Sequence, residues 1–266
     1  MFIPLVLASA SLLTPALQES RPPDPEVVKA AIARLEQAFE KGSPEERLAA
    51  LQAAAPVADP EVVAWVRKGL ADRERSVKGG ALEALGAMAH PKALAALHET
   101  YKGDKALRKD DELTAKLLKS IGRHASPSSV AILADDPFGN LNHDVIQARI
   151  LSLGNVRTKA SVEALISMMR LRGPLKVQPY MANFRLALSI LTGSDQGRSQ
   201  EAWMAWWNDH KKDLAVSAKP AELPREEQTR WDRYWGKERE RGEGRGEGRR
   251  KRGGDGEEPG ESPSQG

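Results

Sequence analysis

The 266-residue chain contains no cysteine. This absence excludes disulfide staples, thiolate metal sites and cysteine nucleophiles, and it also excludes a lipoprotein anchor, which needs a cysteine at its processing site. Aromatic residues are scarce as well, at 5% of the chain. Alanine and leucine, which are strong helix formers, supply most of the hydrophobic 40%. The composition therefore favours helices over strands before any pattern is considered.

A large excess of charge of one sign is also missing. The chain carries 40 basic and 37 acidic side chains, which leaves a formal net charge of only +3. A dedicated nucleic-acid binder would present a conspicuous basic face. The overall charge therefore argues against that class of protein, and we expect no specific nucleic-acid partner.

Long apolar runs are confined to the start of the chain. Residues 1–17 carry no charged side chain but are too few for a membrane span, which needs about 20 residues. Thr14 and Ala16 form a small-x-small pair that suits signal peptidase, although no Lys or Arg precedes the apolar stretch. We predict that residues 1–17 are a cleaved signal peptide, that residues 18–24 are a spacer, and that the protein is exported to the periplasm or beyond. The alternative is an uncleaved helix that anchors or caps the domain and provides its only membrane contact.

Repeated stop-and-start signals predict short helices joined by tight turns. Gly42 suits the left-handed position past a helix end, and Pro44 suits the first position of the next helix. Ser43 and Glu46 match a capping box at that same start. Similar punctuation recurs along the chain at Asp24-Pro25, Asp59-Pro60, His90-Pro91 and Ser126-Pro127.

Pairs of apolar residues three positions apart recur along the chain, and we call the second member of each pair an anchor residue. Successive anchors are separated by 34, 36, 32 and 38 residues, and a further apolar helix is expected after each one. This period indicates a stacked array of antiparallel helices, none of which can bury its apolar face alone. The anchor residues are Leu51, Leu85, Ile121, Leu153 and Leu191.

The segment from Asp72 to Gly86 resembles the HEAT-repeat consensus. It has an aspartate in the turn, then Val77-Lys78 where the consensus has Val-Arg, then Ala and Leu-Gly. The resemblance extends over about residues 45–214, although Arg149 stands where Ala81 would align. It implies an all-α fold, a right-handed α-solenoid of about five helix pairs. HEAT families range from scaffolds to lyases, so the resemblance implies an architecture and not an activity.

The organisation around this array follows from composition. We predict a helical repeat domain over residues 25–215, a linker over 216–225, and one further helix over 226–240. Residues 241–266 consist mainly of Gly, Arg, Glu, Pro and Ser. They lack the large apolar side chains that offset the entropy of ordering, so we expect a disordered tail. Within the repeat domain, Asp135-Asp136-Pro137 is expected to shorten the second helix of the third unit.

Five of the six tryptophans lie at the end of the repeat domain or shortly after it. Trp203 and Trp207 are four positions apart, so we expect them to pack inward together and cap the end of the solenoid. Trp206 is offset by one position. It is an alternative candidate for contact with a partner, as are Trp231 and Trp235 on one face of the last predicted helix, because tryptophan is favoured at interfaces.

We predict no enzymatic activity, no cofactor and no metal site. The chain has no HExxH, phosphate-binding Gly-rich loop or G-x-S-x-G motif. Some HEAT-like hydroxylases bind iron through repeated His-Glu dipeptides, but this chain has a single one, His98-Glu99, which cannot build a metal site. Asp135, Asp136, His143 and Asp144 are typical of an inter-helix loop rich in turn residues. A weak divalent-cation site is the alternative for this group.

A basic insertion between the last two units is the candidate site of partner contact. Residues 170–179 account for the 38-residue step between anchors and contain Arg170, Arg172 and Lys176. Loops along one edge of a solenoid often carry its binding function. We therefore predict a non-enzymatic scaffold that binds a protein or peptide through its repeat surface.

Two other functions stay open. The first is a polyanion or nucleic-acid binder acting through the tail. Its basic run would contact acidic polymers only weakly, because glutamates are interleaved with its arginines. The second is a lyase-like or other enzyme of the HEAT-like class. The basic run consists of Arg249, Arg250, Lys251 and Arg252.

Overall fold

The computed structural model describes residues 22–237. The predicted signal peptide, the predicted tail and its basic run lie outside these residues. Inside them the regular structure consists of α helices and short 3-10 turns, with no strand, which confirms the all-α class. No helix in this part of the chain combines the length and the apolar character needed to cross a membrane. The α helices are α1 (Pro25–Lys41), α2 (Pro44–Ala54), α3 (Pro60–Lys68), α4 (Arg75–Ala87), α5 (Pro91–Gly103), α6 (Asp111–Arg123), α7 (Val130–Leu133), α8 (His143–Asn155), α9 (Lys159–Arg170), α10 (Pro174–Val177), α11 (Met181–Thr192), α12 (Gln200–His210) and α13 (Arg225–Trp235).

Several helices begin at the proline of the predicted Asp-Pro, Ser-Pro and His-Pro pairs. The side chain of Asp24 accepts a 2.9 Å hydrogen bond from the first turn of α1, and Asp59 accepts one of 2.7 Å at the start of α3. Ser43 and Glu46 exchange side-chain to backbone hydrogen bonds, which confirms the predicted capping box. Each such cap satisfies backbone N–H groups that the helix cannot pair and stabilises it by about 1 kcal/mol.

The backbone conformation of Gly42 differs from the one predicted from the sequence. Its backbone is extended, with φ −81° and ψ 153°, and not left-handed. The glycine is needed for space, because a Cβ atom at this position would lie 2.6 Å from the carbonyl oxygen of Ala38. This close approach lets the Gly42 N–H close the last turn of α1 on Ala38.

The helices form two layers. The anchor helices α2, α4, α6, α8 and α11 pack in succession in one layer. In the other, α1 packs on α3, α3 on α5, α7 on α9 and α9 on α12. Every anchor residue is at most 2% exposed, so the recurrent apolar pairs form the shared core of the array. This arrangement confirms the helical-repeat architecture, while the right-handed twist stays a prediction.

Small residues let successive anchor helices approach closely. A Cβ atom added at Gly86 in α4 would lie 2.7 Å from the Cβ of Ser120 in α6, and one added at Gly122 would lie 2.9 Å from the Cα of Ser152 in α8. At the second contact the Ser152 hydroxyl donates a 3.0 Å hydrogen bond to the carbonyl of Leu118. The glycine and serine positions thus bring neighbouring backbones within hydrogen-bonding range of each other's side chains.

The second helix of the third unit is short, as its sequence predicts. The four residues of α7 follow a 3-10 turn and end before Asp135. The space left by the missing turns is filled by Arg149 of α8, which is 6% exposed. Its guanidinium donates hydrogen bonds of 3.0 and 3.2 Å to the carbonyls of Ile132 and Leu133. Arg149 therefore caps the truncated helix from the neighbouring layer.

The chain divides into two compact units between Glu222 and Leu223. The first contains α1–α12 and extends further than the predicted repeat domain. Arg157 donates a 2.6 Å hydrogen bond to the carbonyl of Ser217, and the Ala221 N–H donates to the carbonyl of Ile190. Much of the predicted linker is therefore bound to the repeat domain.

The second unit contains α13 in the described part of the chain. The helix ends at Trp235 because Gly236 adopts the left-handed conformation, with φ 68°. It is thus shorter than the helix predicted over residues 226–240, of which 238–240 lie outside the described residues. Trp231 and Trp235 pack edge to face on one side of α13, with ring centroids 5.7 Å apart.

Candidate functional site

Four large hydrophobic side chains are strongly exposed in the described part of the chain, and three of them lie on two loops. Leu141 is 75% exposed, Leu171 is 63% exposed and Leu175 is 92% exposed. The fourth, Val27, is 49% exposed and lies on α1. Isolated exposed leucines are ordinary in folded proteins, but a group of them marks an interaction site.

The two loops touch each other. We call residues 135–142 and 171–180 the loop pair. The guanidinium of Arg172 lies 5.8 Å from the ring of Phe138 and donates a 3.4 Å hydrogen bond to its carbonyl. The ring of Tyr180 lies 6.2 Å from Phe138 and stacks on His143 at 5.5 Å. The buried Phe138 thus joins the loop before α8 to the loop before α11.

The backbone beneath Leu141 is held in place from both sides. Asn140 and Asn142 each donate a side-chain hydrogen bond to the carboxylate of Asp111, at 2.6 and 3.1 Å. Asn142 is also the N-cap of α8. These bonds hold the backbone on both sides of Leu141 against the first residue of α6.

Leu175 is presented in a similar way. It lies in α10, two positions before Val177, which is fully buried. Val177 fixes the short helix against the repeat domain while Leu175 points away from the core. Leu141 and Leu175 therefore each lie within two residues of a side chain that is bonded to or buried in the repeat domain.

The basic loop predicted from the sequence adjoins these leucines. Arg170 and Lys176 are exposed, and Arg172 is half-buried against Phe138. Residues 170–180 contain no Asp or Glu. Each of the two leucines in this segment is therefore next to at least one cation.

The acidic side chains in and beside the neighbouring loop differ in their contacts. Asp135 accepts a 3.1 Å hydrogen bond from the hydroxyl of Tyr101. Asp136 has a left-handed backbone, with φ 38°, and its carboxylate lies over Gly139 in the same turn. Asp144 lies 3.5 Å from His143.

The five tryptophans at and after the end of the repeat domain, unlike the cations of the basic loop, are buried. Trp203 and Trp207 are buried, as expected for a cap. Trp206 is only 9% exposed, because its ring stacks on His210 at 4.7 Å and meets the edge of Trp203. Trp231 and Trp235 are also buried. These three candidates offer a partner little ring surface, so Arg170, Arg172 and Lys176 are the predicted partner-binding residues that stay accessible.

Residues with metal-binding chemistry are dispersed. The ring of His98 lies 3.0 Å from the hydroxyl of Ser129, and its pKa is lowered by burial and by the nearby Lys102. Glu99 forms a 2.6 Å ion pair with Arg67. Among residues 22–237 no three His, Asp or Glu side chains are grouped so that they could hold a metal ion.

Two open clefts lie near the first helices. One has a volume of about 310 Å³ and lies between α1 and α2, where Arg34, Lys41 and Glu46 contribute its charged lining. The other, of about 630 Å³, is lined by Val28 and Ile32 together with acidic residues. Neither of these two linings includes a histidine or a hydroxyl nucleophile.

The three leucines were missed at the sequence level. They carried a signal, since Leu171 and Leu175 flank Gly173-Pro174 and Leu141 lies between asparagines. Turn residues of this kind interrupt the helical period that would bury an apolar side chain. A leucine inside such a turn is a candidate for exposure.

A family model described as HEAT repeats matches residues 32–111. The matched segment runs from the middle of α1 to the first residue of α6. The search of curated proteins finds no match to the chain.

Proposed function

Because this chain is a HEAT-like repeat protein, we propose that it is a non-enzymatic scaffold that binds another protein through the loop pair. HEAT repeats are typically interaction modules, and stacked helices provide an extended surface and not a deep reaction site. Partner contact is therefore assigned to one edge of the array, where the loops before α8 and α11 meet.

The observation that carries the proposal is that the strongly exposed Leu141, Leu171 and Leu175 all lie on two loops that touch through Phe138. Transfer of one leucine side chain from water into an apolar interface stabilises a complex by about 1.5–3 kcal/mol. Three such side chains can supply a useful share of the binding free energy of a typical complex.

Contacts that hold the two loops support the same proposal. Asn140 and Asn142 bond Asp111 on either side of Leu141, and Val177, two positions after Leu175, is buried in the repeat domain. A preorganised loop loses less conformational entropy on binding than a mobile one. The exposed side chains are thus favourable contact points.

The proposal includes export of the protein. It is supported by the apolar, charge-free residues 1–17 and by the absence of cysteine, which makes the fold independent of the redox state of its compartment. The intact mass of the protein recovered from its source cells tests this part. Loss of about 17 N-terminal residues supports export, and a full-length chain retained in the cytoplasm overturns it.

Affinity capture tests the scaffold proposal. The full tagged chain, the double variant Leu171→Ser/Leu175→Ser and the control Val27→Ser are each used to capture proteins from an extract of the source cells. Circular dichroism first verifies that all three chains fold. We expect a specific protein that wild type and Val27→Ser retain equally and that the loop variant loses by about tenfold, which corresponds to 1.4 kcal/mol. Equal retention by the loop variant would contradict the proposal.

A further inference from the structure

We infer that the segment bound at the loop pair is an acidic peptide with apolar side chains. The inference rests on the proposed function and specifies the chemistry of the partner. It follows from the way cations and leucines alternate along the second loop.

Both leucines of that loop have cationic neighbours. Leu171 lies between Arg170 and Arg172, and Leu175 is followed by Lys176. A partner that covers these leucines must also come within reach of the guanidinium and ammonium groups. A neutral partner would remove water from these cations and return no interaction, whereas a carboxylate would form an ion pair at the rim of the contact.

The chain supplies no counter-charge of its own to these cations. Among the described residues, no ion pair involves Arg170, Arg172 or Lys176. The acids of the other loop are Asp135, which accepts a hydrogen bond from Tyr101, and Asp136, whose carboxylate lies against Gly139 in its own turn. The second loop, which contains no acid, therefore carries positive charge without an ion-pair partner beside its two exposed leucines, and its complement is an apolar segment with negative charge on its flanks.

An anionic lipid surface has related chemistry, but the geometry favours a peptide. Membrane-surface binding uses a long amphipathic helix with many Lys or Arg side chains along its polar face. Here three cations and three leucines are spread over the end of α9, the four-residue α10 and two short loops. A patch built from such short segments suits a short peptide better than a membrane surface, and we commit to that occupant.

Selection from a random 12-residue peptide library on the full chain tests the inference. Counter-selection on Leu141→Ser/Leu171→Ser/Leu175→Ser removes peptides that bind elsewhere. We expect the enriched peptides to combine Asp or Glu with large apolar residues. In fluorescence anisotropy, Lys176→Glu should weaken their binding by about tenfold, and replacing their Asp and Glu by Asn and Gln should weaken it similarly. Val27→Ser serves as the control and should bind them as wild type does.

Several outcomes would overturn the inference. These are enrichment of neutral or basic peptides, affinity unchanged by Lys176→Glu, no loop-dependent enrichment, and loop-dependent binding to phosphatidylglycerol vesicles in place of peptides. The scaffold proposal is judged separately by affinity capture. If the loop variant loses its captured protein while acidic peptides fail to bind, the scaffold stands and the inferred partner chemistry falls.

Discussion

The guanidinium of Arg149 donates a 2.9 Å hydrogen bond to the hydroxyl of Tyr101. This contact joins α8 to α5 across the shortened α7. The hydroxyl of Tyr101 in turn donates a hydrogen bond to the carboxylate of Asp135. In α4 the aligned position holds Ala81, and a side chain of that size at position 149 would leave a cavity beside the short α7. The long cationic side chain of Arg149 fills that space and bonds the Leu133 carbonyl. It also adds a second donor to the Ile132 carbonyl, which accepts from the Asp135 N–H as well.

Arg149→Met keeps much of the side-chain volume but removes the donors. We expect it to lower the free energy of unfolding by about 3 kcal/mol, because the three hydrogen bonds of the guanidinium are lost and the Leu133 carbonyl loses its guanidinium partner. Tyr101→Phe removes one hydroxyl and should cost about 1 kcal/mol. Urea unfolding of both variants measures the difference. Equal costs would show that Arg149 does not cap α7.

Gly122→Ala tests the close approach of α6 and α8. The added methyl group would meet backbone and side-chain atoms of Ser152, so the helices must separate, at a cost of about 1–3 kcal/mol. Gly103→Ala is the matched control, because nothing lies within 4 Å of a Cβ at that helical position. The control should be neutral or stabilise the fold by up to about 1 kcal/mol. Equal thermal unfolding of the two variants would contradict the packing described for α6 and α8.

Asp110 should make stability depend on pH in the acid range. The hydrogen bonds from Arg75, at 2.5 and 2.6 Å, lower the pKa of the Asp110 carboxyl from 3.8 to about 2. A lowered carboxyl pKa adds stability that is present above pH 3.8 and is lost as the pH falls towards 2. Asp110→Asn keeps an N-cap for α6 but cannot ionise. The advantage of wild type over this variant in urea unfolding should therefore shrink between pH 5 and pH 2.5, and a constant difference would refute the assignment.

His124 should make the free energy of unfolding depend on pH in a higher range than Asp110 does. Burial lowers its pKa below 6.5, against the opposing effect of its 3.0 Å hydrogen bond to the carbonyl of Leu85. The unfolded chain thus takes up a proton below pH 6.5 before the folded chain does, so stability decreases as the pH falls and levels off below the folded-state pKa. His124→Gln can keep a hydrogen-bond donor and should reduce the slope of unfolding free energy between pH 7 and pH 5.5. Burial also lowers the pKa of His98. The unfolding free energy of the double variant His98→Gln/His124→Gln should therefore depend on pH even less than that of His124→Gln.

The sequence predicted the parts of this fold that depend on local periodicity. Anchor residues such as Leu85 recur at similar spacing, and capping residues such as Ser43 mark the starts of helices. Both patterns can therefore be recognised in a single sequence. The cap by Arg149 and the contact of Arg172 with Phe138 join residues far apart in sequence, and no local pattern encodes them. Trp206 shows the same limit, because its burial depends on His210 and Trp203 closing over both sides of the ring.

For the binding surface, the sequence identified the cations of the second loop but not the leucines between them. Arg170 and Lys176 stood out because a basic insertion lengthened one repeat. Leu141 did not, because its exposure follows from the asparagines that hold the backbone on Asp111. Only the folded chain brings the two loops together into one surface.

Site-specific photo-crosslinking tests the central claim, that the loop pair is where this scaffold contacts its partner. The chain has no cysteine, so Leu175→Cys and Val27→Cys each create one labelling site for a benzophenone maleimide. Both labelled proteins are irradiated in an extract of the source cells and the adducts are identified by mass spectrometry. We expect a defined protein adduct from position 175 that is absent from position 27. Absence of an adduct at position 175, or the same adducts from both positions, would contradict it.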